Sequence, residues 1–334
     1  MEKSPAERLF QMITGFALSQ SLSVAARLGI ADLLKDGPRE SHELAKSAGV
    51  DESALARLLR FLAGHGVFAE CEGKRFKLTS LAECLQTGAP GSMRTRAIFW
   101  GEEWVWRPWG ELLYSVQSGR PAFDRLYGTD AFDFFARNPD AAEIFQQTMT
   151  AQAAWEAAAV VAACDFSALH TIVEVGCGDG SLLAAILQAN PRARGVFFDR
   201  PYAVEKAEML VGARCAGRCE FVAGNFFESV PAGGDGYILK HVIHDWDDAG
   251  ATAILKNCRR HLGRDGRLLV VESILRPGNE PDPGRFIDLH MLVRQTGRER
   301  SESEYRELLA AAGFALARVV PTRTQVSVIE AKAE

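Results

Sequence analysis

The sequence predicts a doubly wound α/β domain preceded by a mostly helical, winged-helix module. Three observations carry this. In the C-terminal half, the short apolar runs TIVEV, GVFFD, CEFVAG, GYILK and RLLVVES alternate with helical stretches, the pattern of a largely parallel sheet. The first of those runs leads directly into a glycine-rich turn, GCGDG, with a helix after it. The first 90 residues instead read helix, turn, helix, hairpin.

Within that N-terminal stretch, SHELAKSAGV (41–50) offers Ser41 as a helix N-cap and Gly49 as its stop. The next segment, DESALARLLRFLAGHG, places Leu55, Leu58, Leu59 and Leu62 on one helical face. VFAE and RFKLTS then flank CEGK as two short strands about a turn. A winged helix invites a DNA-binding reading, which the charges oppose. From Glu40 to Leu85 there are six lysines and arginines against seven acidic residues. Asp51 and Glu52 stand at the start of the helix that would enter a groove, where phosphates would repel them. Packing or dimerisation suits the module better.

Residues 91–163 read as a helical linker. Trp100, Trp104, Trp106 and Trp109 crowd ten positions of it, as core or as an aromatic wall for a flat ligand. A loop and a long helix follow, with Phe145 and Met149 one turn apart. The α/β domain then occupies 164–334, giving three regions: 1–90, 91–163 and 164–334.

Composition narrows the function. A chain of 334 residues with 47% hydrophobic and 24% charged residues is expected to fold as two domains. A net charge of −5 gives no general attraction to nucleic acid or to an anionic membrane. No apolar run reaches the roughly 20 residues of a membrane span, and the first residues lack a secretory pattern. Seven scattered cysteines, an odd number, suit reduced thiols in a cytoplasm. Cys215 and Cys219 form a lone C-x-x-x-C without the second half a zinc site needs.

The glycine turn reads Gly176-Cys-Gly178-Asp-Gly180-Ser181, and Asp199 closes the second strand 19 residues past Gly180. A carboxylate there can accept both hydroxyls of a ribose. A dinucleotide fingerprint needs a third glycine at 181, where Ser181 stands. The tighter G-x-G-x-G resembles the loop of S-adenosylmethionine-dependent methyltransferases. With GNFFESVPAGGDGYILKHVIHDWDD, VVESIL, DLHMLV and TGRERSESEYRELLAAAGF, the chain resembles, over nearly its whole length, the small-molecule O-methyltransferases of plant phenylpropanoid and bacterial polyketide pathways. Its N-terminal module is similar to that family's winged-helix dimerisation domain.

The resemblance implies a Rossmann-like catalytic domain, a homodimer, S-adenosylmethionine as cofactor and a small aromatic acceptor. It implies that Gly176 lies against the cofactor's amino-acid part, that Gly178 also meets the cofactor, that Asp199 holds its ribose, and that Arg200 lies beside the adenine. Asn225 stands where many members have an aspartate, so an amide oxygen replaces a carboxylate. Phe226 would stack near the ring, and Lys240 and Trp246 match the remaining cofactor contacts. Phe145, Met149, Gln152, Met291 and Gln295 match the acceptor pocket. Arg294 beside them departs from smaller residues and faces either an acidic acceptor or solvent.

KHVIHDWDD (240–248) lies at the ligand-binding end of the predicted sheet. His241 and His244 at a strand end need not share a face, and no further histidine or cysteine cluster adjoins them, so no metal is expected. The resemblance assigns His244 as general base, flanked by Glu272 and Glu299, and leaves His241 a packing or supporting role. An imidazole of pKa ~6.5 suits removal of a phenolic proton of pKa ~10. By residue pattern alone, Glu299 among Arg298, Arg300 and Glu302 reads as surface charge. The same scaffold also serves decarboxylation, hydroxylation and pericyclisation, which an intact His244 with two glutamates opposes. A DNA-binding regulator is the more distant alternative.

Overall fold

A computed structural model describes residues 4–89, 91–215 and 217–334. The chain forms two compact units, residues 1–110 with 138–148, and residues 111–137 with 149–334. The stretch 91–163 is therefore divided between the two units and does not stand alone.

The first unit opens with helices Pro5–Ile13 and Gly15–Arg27. Helices Ser41–Ala48 and Glu52–Gly64 follow, then a three-stranded sheet ordered Arg39–Glu40, Arg75–Leu78, Phe68–Cys71. This is the expected winged-helix arrangement, with one correction. Glu40, not Ser41, caps the first of the paired helices, through a reciprocal capping box with Glu43. Ser41 is already inside the helix and buried. Gly49 ends that helix in a left-handed conformation, and Asp51 caps the next by accepting from the Ala54 amide at 2.8 Å. Leu55, Leu59 and Leu62 enter a core with Leu44, Phe68 and Phe76. Leu9, Phe10, Met12, Ile13 and Phe16 stay exposed on the first two helices. Trp104 is buried edge-on against Phe99, which also packs against Phe145, while Trp106 is exposed.

The second unit is built on a seven-stranded sheet. Its order is Phe314–Pro321, Ser327–Ala333, Arg267–Glu272, Gly236–Lys240, Thr171–Val175, Arg194–Asp199, Cys219–Ala223. Only Ser327–Ala333 runs against the others. Successive side chains point to opposite faces, so each strand feeds two cores. Val173, Tyr237, Leu239, Leu268 and Val270 meet helices Asp248–His261 and Glu302–Ala311 on one side. Ile172, Phe197, Ile238, Leu269 and Val271 meet helix Ser181–Ala189 on the other. Both faces being covered explains the near-continuous apolar runs. Strand order reverses at Thr171–Val175, whose neighbours' chains depart in opposite directions, and a crevice at such a point is where doubly wound sheets bind ligands. Among the described residues no single helix is long and apolar enough to cross a membrane.

Candidate active site

Four strand ends meet at that crevice. Thr171–Val175 ends at the glycine turn, where Gly176, Gly178 and Gly180 all have positive φ (77°, 56° and 74°). A Cβ on Gly176 would lie 2.5 Å from Cγ2 of Val242, so this position has room only for glycine. Nothing lies within 4 Å of a Cβ built on Gly178, leaving open space over the turn. Gly180 starts helix Ser181–Ala189 in the left-handed region.

The strand Arg194–Asp199 delivers Asp199 to the same place. One carboxylate oxygen accepts from the Gly178 amide at 2.9 Å and the other from the Arg200 amide at 2.7 Å. Burial raises its pKa, and the two amides oppose the rise. Asn225 uses its oxygen locally, accepting from the Phe227 amide at 3.0 Å, while its amide group donates to Glu228 at 3.1 Å. Phe226 and Phe227 pack edge-on against Trp246, at 6.0 and 4.7 Å. The buried indole Nε1 of Trp246 has no hydrogen-bond partner. One residue absent from the sequence reading is Glu174, buried under the turn, with a pKa that burial pushes up to about 8. Its strand pattern, one acid in TIVEV, is the only signal for it.

The segment after Lys240 makes the second half of the site. His241 has φ 52°, a left-handed conformation rare outside glycine. The chain then turns so that the amides of Val242, Ile243 and His244 converge on one Glu272 oxygen at 3.1, 3.0 and 3.3 Å. His244 Nδ1 lies 2.8 Å from Oε1 of Glu299 and 3.5 Å from Oε2 of Glu272. Its Nε2 is the nitrogen left for another molecule, with Asp245 3.5 Å away. Burial would lower the His244 pKa, but Glu272 and Glu299 together raise it to about 10. Glu299 is 1% exposed, which corrects the surface reading of its sequence neighbourhood. Arg300 is likewise buried, donating to the carbonyls of Ile243 and Trp246 at 3.1 and 2.9 Å and to Asp248 at 2.8 Å.

His241 is not a packing residue. Its Nε2 lies 2.9 Å from Glu156 and its Nδ1 lies 3.4 Å from Glu272, so both ring nitrogens face carboxylates. The donor atoms of His241, His244 and Glu272 all lie within 4.8 Å of one another, a convergence the strand-end argument did not anticipate. Glu156, on helix Pro139–Ala163, has only a weak sequence signal, an acid in the alanine-rich second half of that helix, four residues after Gln152. Burial opposes its charge, but His241 and Lys240 outweigh burial and bring its pKa to about 2.

Of the expected acceptor-pocket residues, Gln152 donates to Glu156 at 2.7 Å, and Gln295 bonds both Asp245 and the Met291 sulfur. Met149 is half-buried on the same helix as Gln152. Phe145 belongs to the other compact unit. Arg294 is buried, with its guanidinium 5.6 Å from the Phe135 ring, which removes the solvent-facing alternative.

Comparison with known proteins gives this geometry a family. A family model for the O-methyltransferase domain matches residues 109–315, and one for the O-methyltransferase dimerisation domain matches residues 10–88. The chain belongs to the O-methyltransferase family. This methyltransferase is 46% identical to the phenazine O-methyltransferase PhzM of Lysobacter antibioticus, over 97% of its own length and 95% of the relative's. It is 39% identical to the mitomycin biosynthesis 6-O-methyltransferase of Streptomyces lavendulae, over 94% and 90% of the two chains. The solved O-methyltransferase NcsB1 from neocarzinostatin biosynthesis, in complex with S-adenosylmethionine and 2-hydroxy-5-methyl naphthoic acid, superposes with a TM-score of 0.82. That pair is 32% identical, over 95% of this methyltransferase and 96% of NcsB1. The protein is thus an S-adenosylmethionine-dependent methyltransferase with a Rossmann-like domain.

Proposed function

We propose that this methyltransferase works as a homodimer and methylates a hydroxyl of an aromatic or polycyclic secondary metabolite, with His244 as general base. The observation that carries the reading is the contact of 2.8 Å between His244 Nδ1 and Glu299, which leaves Nε2 for a substrate proton. The ring compounds named for two of the relatives, a phenazine and a naphthoic acid, are flat aromatic systems. The exposed apolar residues of the first two helices give the dimer its driving force.

S-Adenosylmethionine supplies a methyl group on a positively charged sulfur. Open space over Gly178, the Asp199 carboxylate and the unpartnered indole nitrogen of Trp246 fit its amino-acid part, ribose and adenine region. Asp199, already accepting from the Gly178 and Arg200 amides, would hold the ribose. Glu272, fixed by three amides, and Glu299 orient the imidazole so that its Nδ1 proton stays inside the network. His244 Nε2 would take the hydroxyl proton as the acceptor oxygen becomes nucleophilic. Bound cofactor would supply a neutral thioether as leaving group, so no residue of the chain is needed as an acid. Phe226, Lys240 and Arg200 complete the cofactor side; Met149, Gln152, Met291 and Gln295 line the acceptor side.

A mass-spectrometric screen of phenolic polycycles with methyl-labelled cofactor tests the reading. A mass gain of one methyl on oxygen is expected. Methylation confined to amines, or decarboxylation without methyl transfer, would replace it.

A further inference from the structure

We propose that His241, held as an imidazolium by Glu156, shares Glu272 with His244 and so keeps the base able to release its proton. This rests on the reading of His244 as the base. A base flanked by two buried carboxylates has a difficulty. Glu272 and Glu299 both favour its protonated form, and a permanently protonated imidazole accepts nothing. The geometry supplies the counterweight. One oxygen of Glu272 lies 3.4 Å from Nδ1 of His241 and 3.5 Å from Nδ1 of His244, so the same negative charge serves two rings. The ring centroids are 5.0 Å apart, close enough for one positive charge to oppose the other.

Glu156 secures the charge on His241 from the far side. It is buried, 2.9 Å from Nε2, and held in place by Gln152 at 2.7 Å. The left-handed backbone of His241 is the strained conformation that lets its ring reach both carboxylates. The other charged or titratable groups around the pair are few. Lys240 lies 3.5 Å from Glu156, and Asp245 lies 3.5 Å from His244. Glu299 is on His244, Arg300 binds the Ile243 carbonyl, and the buried Tyr305 adjoins Glu272 and Glu299. Among the described residues, none of these gives Glu272 a third cation beside the two histidines. His241 is thus a positioning and tuning residue, not one that touches the acceptor.

Charge states of the two histidines, not turnover, provide the test, so the coupling and the base role fail separately. The full chain is labelled with ¹³C,¹⁵N-histidine and titrated from pH 6 to 10.5, with signals assigned by His241→Asn and His244→Gln. In the parent, His241 should read as imidazolium at pH 7; a neutral His241 there overturns the proposal even if no variant folds. Asparagine tolerates the left-handed backbone, and Glu156→Gln keeps the shape while removing the charge. A unit charge at about 5 Å moves a neighbouring pKa by roughly one to two units in a partly screened interior. Both variants should therefore move His244 deprotonation upward by that amount, and Glu156→Asp should restore it in part. An unchanged His244 titration in the folded variants would show His241 to be structural only.

Discussion

A Cβ at Gly297 would lie 1.9 Å from the carbonyl oxygen of His244 and 2.4 Å from the carbonyl carbon of Asp245. The backbone of one segment thus rests directly on that of the other, and both partners are rigid main chain. Gly297→Ala must push the two apart, and overpacking of this kind costs about 1–3 kcal/mol or more. The expected outcome is a lowered melting temperature together with a turnover loss greater than the stability loss explains, because the displaced residue is the proposed base. Paired thermal melts and single-turnover rates measure this.

Arg300 fixes the same segment from another side. It is fully buried, whereas its partner Asp248 is 59% exposed, so the pair is not a sealed ion pair. What Arg300→Met removes is chiefly the donors to the Ile243 and Trp246 carbonyls, leaving the Trp246 carbonyl unsatisfied and the Ile243 carbonyl with only the long 3.4 Å bond from the Trp246 amide. A loss of about 2–4 kcal/mol is expected by chemical denaturation. Asp248→Asn, which keeps a hydrogen-bond acceptor at an exposed position, should cost less than 1 kcal/mol.

The contrast between Gly176 and Glu299 shows what the sequence could and could not reveal. The glycine turn, the five strands from Thr171 to Glu272 and Gly49 as a helix stop are local signals: period, turn chemistry and capping. Glu299 and Arg300 sit in a string of alternating charges that reads as solvated, and only pairing with residues 243–248, some fifty positions away, buries them. Glu156 is hidden for the same reason. The strand pair Phe314–Pro321 and Ser327–Ala333 escaped because the first is a half-exposed edge strand carrying Arg318, without clean alternation. Ser41 lost its capping role to Glu40, since a glutamate with a glutamate at the third helical position completes a box equally well.

Asp199 should govern cofactor affinity separately from chemistry. Asp199→Ala removes a charge-assisted acceptor for the ribose diol and also frees the Gly178 and Arg200 amides. S-Adenosylmethionine affinity should fall by about 1.5–3 kcal/mol in titration calorimetry. Unchanged affinity in a folded variant would remove Asp199 from the cofactor site.

His244→Ala should do the reverse. Cofactor affinity should stay near the parent's, while turnover falls by ~10²–10⁴-fold, the usual contribution of a positioned base. Glu299→Gln keeps the shape but removes the charge favouring imidazolium, so its loss should be smaller and its pH profile displaced downward. Stopped assays at saturating acceptor separate these two variants.

The pH response follows from the raised pKa of His244, and its two consequences have opposite signs. Because the folded value, about 10, lies above the unfolded imidazole value of ~6.5, the folded chain holds more protons between them. Stability from His244 is therefore complete below pH ~6.5 and declines as pH rises through the folded value. Activity runs the other way, since only the neutral ring accepts a proton, so kcat/KM should climb from neutral toward alkaline pH. Glu156 behaves oppositely at the acid end. Its folded pKa of about 2 lies below the ordinary carboxylate range, so its contribution is present at neutral pH and lost as pH falls through that value. Melting temperatures and kcat/KM from pH 6 to 10 should thus move in opposite directions in the parent. In His244→Gln, the alkaline fall in melting temperature should flatten and the residual rate should lose its rise. If stability and activity instead fell together across that range, the titrating group would not be His244.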